Sequence, residues 1–346
     1  MTVPAAVVVL AAGQGTRMKS DLPKVVHPVA GLSMIGHALR AADGLNPECL
    51  VAVVRHQREV VAAEIERVMP RTFIADQDEI PGTGRAVLCA IDALAAEFGP
   101  LEGTVVVTSG DVPMLSTATL ERLVALHEGA GHAVTVLTSI APDPTGYGRI
   151  VRDGAGIVTA IVEQKDATEA QRAITEVNAG VYAFDGAFLA TTLAGVGADN
   201  AQGEVYLTDV LAAAAPAGRT AGALVLDDPW EAQGCNDRVQ LAELAAEFNR
   251  RICADRMRDG ATIIDPASTW IGVDVRIGRD TTIWPGSVLR GATSVGSGCE
   301  IGPGTTLDSA NVADRASVPA SWVTEASVAA DTMVPPFSVI GRPARG

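Results

Sequence analysis

The densest group of residues able to do chemistry lies near the start of the chain. It reads Leu10-Ala11-Ala12-Gly13-Gln14-Gly15-Thr16-Arg17-Met18-Lys19, followed by Leu22-Pro23-Lys24. Glycine at 13 and 15 lets backbone N–H groups approach a base or a phosphate closely. Arg17 and Lys24, seven residues apart, supply two cations to a polyphosphate. The segment has no Gly-Lys-Ser/Thr of a P-loop, and Met18 stands where the dinucleotide fingerprint needs a third glycine. A Gly-x-Gly by itself is more often a tight turn. The Thr16-Arg17 and Pro23-Lys24 that follow make an anion-binding loop the stronger reading.

Composition frames that loop. The 346 residues hold 23 Arg but only three Lys, at 19, 24 and 165, and a GC-rich genome accounts for that bias. The net charge of −15 argues against nonspecific binding of nucleic acid or an anionic membrane surface. Residues 261–346 contribute −2 of it and the rest −13, so an anion site here is a local cationic pocket in an acidic domain. All five histidines lie at or before His132. The five cysteines are widely spaced with no C-x-x-C, which speaks against a disulfide framework or zinc site and for a reducing cytoplasm. The apolar stretch Val3–Ala12 is too short to span a bilayer and follows no basic residue, so neither signal peptide nor membrane helix is expected.

The elements that must position the loop follow from hydrophobic pattern. Ala5–Leu10, Leu50–Val54 and Gly103–Thr108 are short β-branched runs of the kind buried in parallel sheets. Thr83–Phe98 carries Val87, Leu88, Ile91, Leu94 and Ala95 at helical spacing. Alternation of this kind predicts an open α/β sheet, with ligands beyond the carboxyl ends of its strands. Asp237–Gly260 reads as one long helix with an apolar stripe at Leu241, Leu244, Ala245, Phe248 and Ile252. The expected organisation is a domain over 1–236, a linker helix over 237–262 and a second domain over 263–346.

That last stretch has its own period. Ile271, Ile277, Ile283, Leu289, Val295, Ile301 and Leu307 recur every six residues, and Gly follows four of them. Six fits neither a helix nor a flat strand. It marks a hexapeptide β-helix, whose aliphatic residues fill a triangular prism. The register continues through Val312 and Val318, slips, and resumes at Trp322, Val328, Val334 and Ile340, giving about four coils.

Taken together, LAAGQGTRM…LPK resembles the signature of sugar-1-phosphate nucleotidyltransferases. Pro81-Gly82-Thr83-Gly84, Ser109-Gly110-Asp111-Val112-Pro113, Gly146–Val151, Glu163–Ala167, Asn178-Ala179-Gly180, Ala201–Asp209 and Gly234–Arg238 follow in the order found in the GlmU family of uridylyltransferases and acetyltransferases. The resemblance covers residue 5 to about 310. It implies a Rossmann-like, GT-A-like α/β domain followed by a left-handed parallel β-helix. It implies that UTP and an amino-sugar 1-phosphate, N-acetylglucosamine 1-phosphate, are the substrates, with Mg²⁺ as cofactor, and it suggests a homotrimer through the β-helix. Leu10, Ala11, Ala12, Gly13, Gln77, Gly82 and Thr83 would hold uracil and ribose, with Thr16, Ser109 and Gly110 also on the nucleotide. Gly15, Arg17 and Lys24 would handle the triphosphate, Arg17 and Lys24 in the catalytic role. Asp111 and Asn236 would ligate Mg²⁺. Gly148, Glu163, Asn178, Tyr206 and Thr208 would bind the sugar.

Plainer roles stand beside these. Asp111 fits a helix cap, Glu163 with Lys165 a solvated charge pair, Asn178 and Asn236 turn residues, and Tyr206 a core residue. Ile80 replaces a polar residue the family has near the base, and Asp76 and Asp78 set two negative charges beside Gln77. Ser109 replaces an aromatic found in some members. No His or Lys follows residue 165, so the acetyltransferase half of the family's chemistry is expected to be missing. Another sugar phosphate or base, and a non-catalytic sugar-nucleotide sensor, are the alternative functions. A hexapeptide acyltransferase is disfavoured by the missing His.

Overall fold

The structure, a computed structural model, describes residues 3–341. The chain forms two compact units. One takes in the residues up to His27 together with Ser33–Asp237; the other takes in Pro28–Leu32 and the chain from Arg238 onward.

The first unit is built on a sheet whose central strand is Ala6–Leu10. Its Ala6 and Val8 side chains pack into one core, its Val7 and Val9 into another, and all four are wholly buried. A strand that is apolar on both faces needs cover on both, and helices supply it. Thr83–Phe98 closes one face through Val87, Ile91 and Leu94. Met34–Asp43 and Thr117–Ala130 close the other through Ile35, Leu39, Leu120 and Leu123. Burying each such side chain stabilises the fold by about 1.5–3 kcal/mol.

Ala6–Leu10 pairs in parallel with Cys49–Val54 on one side and Thr104–Ser109 on the other. Phe73–Asp76 extends the parallel set beyond Cys49–Val54. On the far side the parallel order is broken. Glu176–Asp185 runs antiparallel to both Thr104–Ser109 and Val134–Ile140. A hairpin of Arg149–Arg152 and Val158–Val162 hangs from its start. The three strands read from sequence are therefore parallel, as β-branched runs buried on both faces should be. The antiparallel strand left no comparable signal.

In the second unit, helix Arg238–Arg258 buries Leu244, Ile252 and Cys253, and among them Asn249. Asn249 donates to Thr269 O at 2.7 Å and accepts from Ile271 N at 3.0 Å, so a buried amide fastens the helix to the first coil. The expected linker helix is thus part of this unit's packing. Three parallel ladders follow, and their inward residues stack by face: Ile263, Ile283, Ile301 and Val318 on one; Ile271, Leu289, Leu307, Val323 and Ile340 on the second; Ile277, Val295, Val312 and Val328 on the third. One expectation is corrected. Trp322 does not enter the prism; it is 42% exposed, and Val323 fills the position. The spacing shortens from six to five residues at Leu307–Val312, Val318–Val323 and Val323–Val328, so the interior place falls one residue later than a strict repeat from Trp322 puts it.

Candidate functional site

The parallel strands of the first unit end together, and the candidate phosphate residues lie just past those ends. Lys24 pairs through its Nζ with Asp111 Oδ2 and also donates to Asn236 Oδ1 at 3.4 Å. Arg17 Nη2 donates to the same Asn236 oxygen at 2.9 Å. Asp111 Oδ1 accepts from Ser109 Oγ at 2.6 Å, and its backbone carbonyl accepts from Cys235 N at 3.0 Å. Three distant stretches of the chain thus meet in one charged cluster. Asp111 is not a helix cap: the next helix, Thr117–Ala130, is capped by Ser116. The serine in place of an aromatic at 109 orients the Asp111 carboxylate. Burial pushes the neighbouring Cys235 thiol up to about 11, so it is not a thiolate nucleophile.

Glycine geometry shapes the loop around the cluster. Gly15 has φ +64, and a Cβ there would sit 2.5 Å from Lys24 Cβ. Gly110 is pressed against Ile35 and Leu10, where a Cβ would lie 2.7 Å from Ile35 Cδ1. Its role is therefore close packing, and it does not line the cleft. Thr16 and Arg17 form an exposed 3₁₀ turn closed by the buried Met18.

Beside the cluster opens a cleft of about 340 Å³. Leu10 through Gly13 form one wall, Gln77, Gly82 and Thr83 another, and Lys24, Ser109 and Asp111 the charged end. Gly13 has nothing within 4 Å of a would-be Cβ, so its backbone faces open space. The two acidic residues flanking Gln77 are neutralised. Arg58 binds Asp76 through Nε at 2.6 Å and Nη2 at 3.2 Å, and Arg85 forks onto Asp78. Arg55 Nη2 adds a bond to Glu79 O at 3.0 Å. Gln77 Nε2 donates to Ile80 O at 2.9 Å and Gly82 O at 3.3 Å, so its Oε1 is the edge left for a ligand. Ile80 takes part through its backbone, its O accepting from Gln77 and its N donating to Asp78 Oδ1 at 3.1 Å, and its side chain is exposed.

The candidate sugar residues form a second group. A Cβ on Gly148 would lie 3.3 Å from Glu163 Oε1 and 3.5 Å from Asn178 Cβ, so these three converge. Burial raises the Glu163 carboxyl above its usual range, and Asp166 and Asp209 add to the effect. Glu163 makes no pair with Lys165, whose Nζ bonds Gln202 Oε1 at 2.9 Å. Thr208 is buried beside Glu163 with no hydrogen bond of normal length to its hydroxyl. Tyr206 is 8% exposed and accepts from Gln202 Nε2 at 2.7 Å. The groups meet where Gly82–Gly84 docks on Val205–Leu207: Gly84 N donates to Val205 O at 2.9 Å, and Thr83 Oγ1 accepts from Leu207 N at 3.3 Å.

Sequence reasoning missed Arg55, His56 and Glu204, which line the cleft. Arg55 and His56 directly follow the strand Cys49–Val54, and the rule that ligands bind at carboxyl ends was the available signal. The pairing arginines 58 and 85 had none, because their acidic partners lie 18 and 7 residues away.

The donor set suits a hard divalent cation: one carboxylate and one amide oxygen, the types Mg²⁺ prefers. Asp111 Oδ2 and Asn236 Oδ1 already share a cation, the Lys24 ammonium, so both oxygens face a common positive position.

Fold and site together define a nucleotidyltransferase. A family model described as the MobA-like NTP transferase domain matches residues 7–175, and one described as bacterial transferase hexapeptide (six repeats) matches 274–309. "Bifunctional protein GlmU" of Kineococcus radiotolerans is 54% identical over 338 residues, covering 98% of this chain and 68% of that protein. The protein of that name from Paenarthrobacter aurescens is 52% identical over 337 residues, and that from Mycolicibacterium gilvum 54% over 340; each alignment covers 97% of this chain and 68% of the relative. The chain belongs to the GlmU family and spans about two thirds of the length of these relatives.

Proposed function

We propose that this protein transfers UMP from UTP to N-acetylglucosamine 1-phosphate, giving UDP-N-acetylglucosamine and pyrophosphate. The observation that carries the reading is the cluster of Lys24, Arg17, Asp111 and Asn236 at the head of a nucleotide-sized cleft. A sugar-phosphate oxygen attacks the α-phosphorus, and the bond to pyrophosphate breaks. The nucleophile is already an anion, so no side-chain nucleophile or strong base is needed. What the reaction requires is alignment of two anions and charge for the leaving group. Lys24 neutralises the α-phosphate region and Arg17 the departing pyrophosphate. Gln77, with both donors committed to backbone carbonyls, presents an acceptor that suits the N–H of uracil and not the bare ring nitrogen of cytosine. Gly148, Glu163 and Asn178 receive the amino sugar. Asp111 and Asn236 would hold Mg²⁺, which when bound supplies positive charge to the phosphates.

Pyrophosphate release from each nucleoside triphosphate paired with a panel of sugar 1-phosphates tests the reading. The fastest pair should be UTP with N-acetylglucosamine 1-phosphate, and a chelator should abolish it. No pyrophosphate from any pair overturns the enzyme claim. The same panel decides whether another base or another sugar phosphate is accepted.

The polypeptide of 346 residues should not acetylate glucosamine 1-phosphate. Its hexapeptide unit holds neither His nor Lys to serve acyl transfer. Release of free thiol from acetyl-coenzyme A would reject this. A homotrimer is the proposed assembly, supported by the exposed Trp270, Trp284 and Trp322 on the β-helix; the mass in solution checks it. The five free cysteines suit a cytoplasmic location.

A further inference from the structure

Asn178 lies on Glu176–Asp185, the strand whose register slips between Asn178 and Tyr182. Gly180, at φ +72, sits within the slip. Such a bulge bends the strand and re-aims its side chains. The result is a contact between residues four apart: Asn178 Nδ2 donates to Tyr182 Oη at 2.7 Å, while Asn178 Oδ1 accepts from Gly180 N at 2.8 Å. Tyr182 is 4% exposed, and its ring stacks on Phe184 with centroids 5.5 Å apart. A phenol so buried keeps its oxygen in a fixed place.

These two bonds determine the amide. Gly180 N–H can only donate, so it requires the carbonyl oxygen; the nitrogen then faces Tyr182. One N–H and one lone pair of Asn178 are left for a ligand. An amide already held in one place meets a sugar substituent without first having to be ordered.

We propose that Tyr182 is a positioning residue for sugar recognition, holding in place the Asn178 carboxamide whose orientation Gly180 N–H sets. The inference rests on the proposed transfer to N-acetylglucosamine 1-phosphate. Neither the glycine-rich loop nor the residues assigned above to the sugar include Tyr182, and it touches no substrate itself.

Tyr182→Phe removes one oxygen and preserves the stacked ring. Steady-state kinetics of wild type and variant, with N-acetylglucosamine 1-phosphate and UTP each varied in turn, read the effect. KM for the acetamido sugar should rise about tenfold, the size of one lost hydrogen bond to a buried group. KM for UTP should stay within about twofold, on the same reasoning that a contact confined to the sugar group leaves the nucleotide untouched. kcat and the melting temperature should be kept. An equal rise in KM for both substrates, or an unchanged KM for the sugar phosphate, overturns the proposal while leaving the transferase reading intact. Tyr182→Met supplies the same kinetic comparison if the Phe variant is unstable. A wild-type protein that turns over no pair overturns both.

Discussion

Arg17 Nη2 donates to Asn236 Oδ1 at 2.9 Å, joining the first loop of the sheet to the last across 219 residues. Lys24 donates to the same oxygen, so the amide works against two cations while Asp111 holds one of them from the other side. Removing any member leaves the others with charge they are no longer matched to.

Asp111→Asn should reduce pyrophosphate release at least about 100-fold, the scale of losing one group that stabilises charge in a transition state. The fold should persist, since the Asp111 backbone still receives Cys235 N. Unchanged rates in the assay would reject the roles given to the carboxylate.

The base-side loop is held by arginines, and Arg85→Ala should raise KM for UTP about fivefold, as the loss of one charge-assisted contact does. Asp78 is held below the usual carboxylate range by its hydrogen bonds to Arg85. Without its partner, an unneutralised charge stands beside Gln77. KM for the sugar phosphate should not move; equal shifts for both substrates count against a local effect.

Gly82→Ala tests the docking of that loop. Gly82 has φ +123, and a Cβ would lie 2.2 Å from Val205 O. Strained backbone and a clash with main chain together should cost about 2–4 kcal/mol. Urea unfolding measures it, and a stability within about 0.5 kcal/mol of wild type, the range of harmless surface changes, contradicts the geometry.

His127 supplies a pH dependence. Its Nδ1 lies 3.0 Å from Thr135 Oγ1, and His132 Nδ1 lies 3.0 Å from the same oxygen. Burial, reinforced by the positive form of His132, lowers His127 to about 4. Glu128 and Asp185 pull the other way, and Arg219 adds to the lowering. The neutral ring is the folded form, so this contribution is complete above the unfolded value of about 6.5. It is lost as pH falls from there toward 4, up to about 3 kcal/mol by linkage. Unfolding curves between pH 7.5 and 4.5 should show the loss, and His127→Gln should flatten it.

The prism interior predicts its own energetics. Leu307 is wholly buried at the centre of a ladder between Leu289 and Val323. Leu307→Ala should destabilise the second unit by about 2–5 kcal/mol. Trp322→Ala, on the outer surface, should cost far less in thermal melts of the monomeric state. Reversal of that order would reject the corrected register.

Local pattern and repetition were enough to read much of this protein from its residues. Runs such as Ala6–Leu10 declare a strand buried on both faces, because no other placement suits unbroken β-branched residues. The six-residue period declares a β-helix, because only a three-faced coil returns an aliphatic residue inward at that interval. The glycine-rich turn with Arg17 and Lys24 marks an anion site, because chain geometry and charge sit within fifteen residues. Tertiary structure decided what depends on partners distant in sequence. By sequence Asp76 and Asp78 burden the base pocket with charge; in the fold Arg58 and Arg85 neutralise them. Trp322 read as interior until the five-residue steps moved Val323 into the prism. Tyr182 read as nothing in particular until a bulge at Gly180 carried its hydroxyl to the Asn178 amide, because hydrogen bonds recognise position in space and leave no period in the chain.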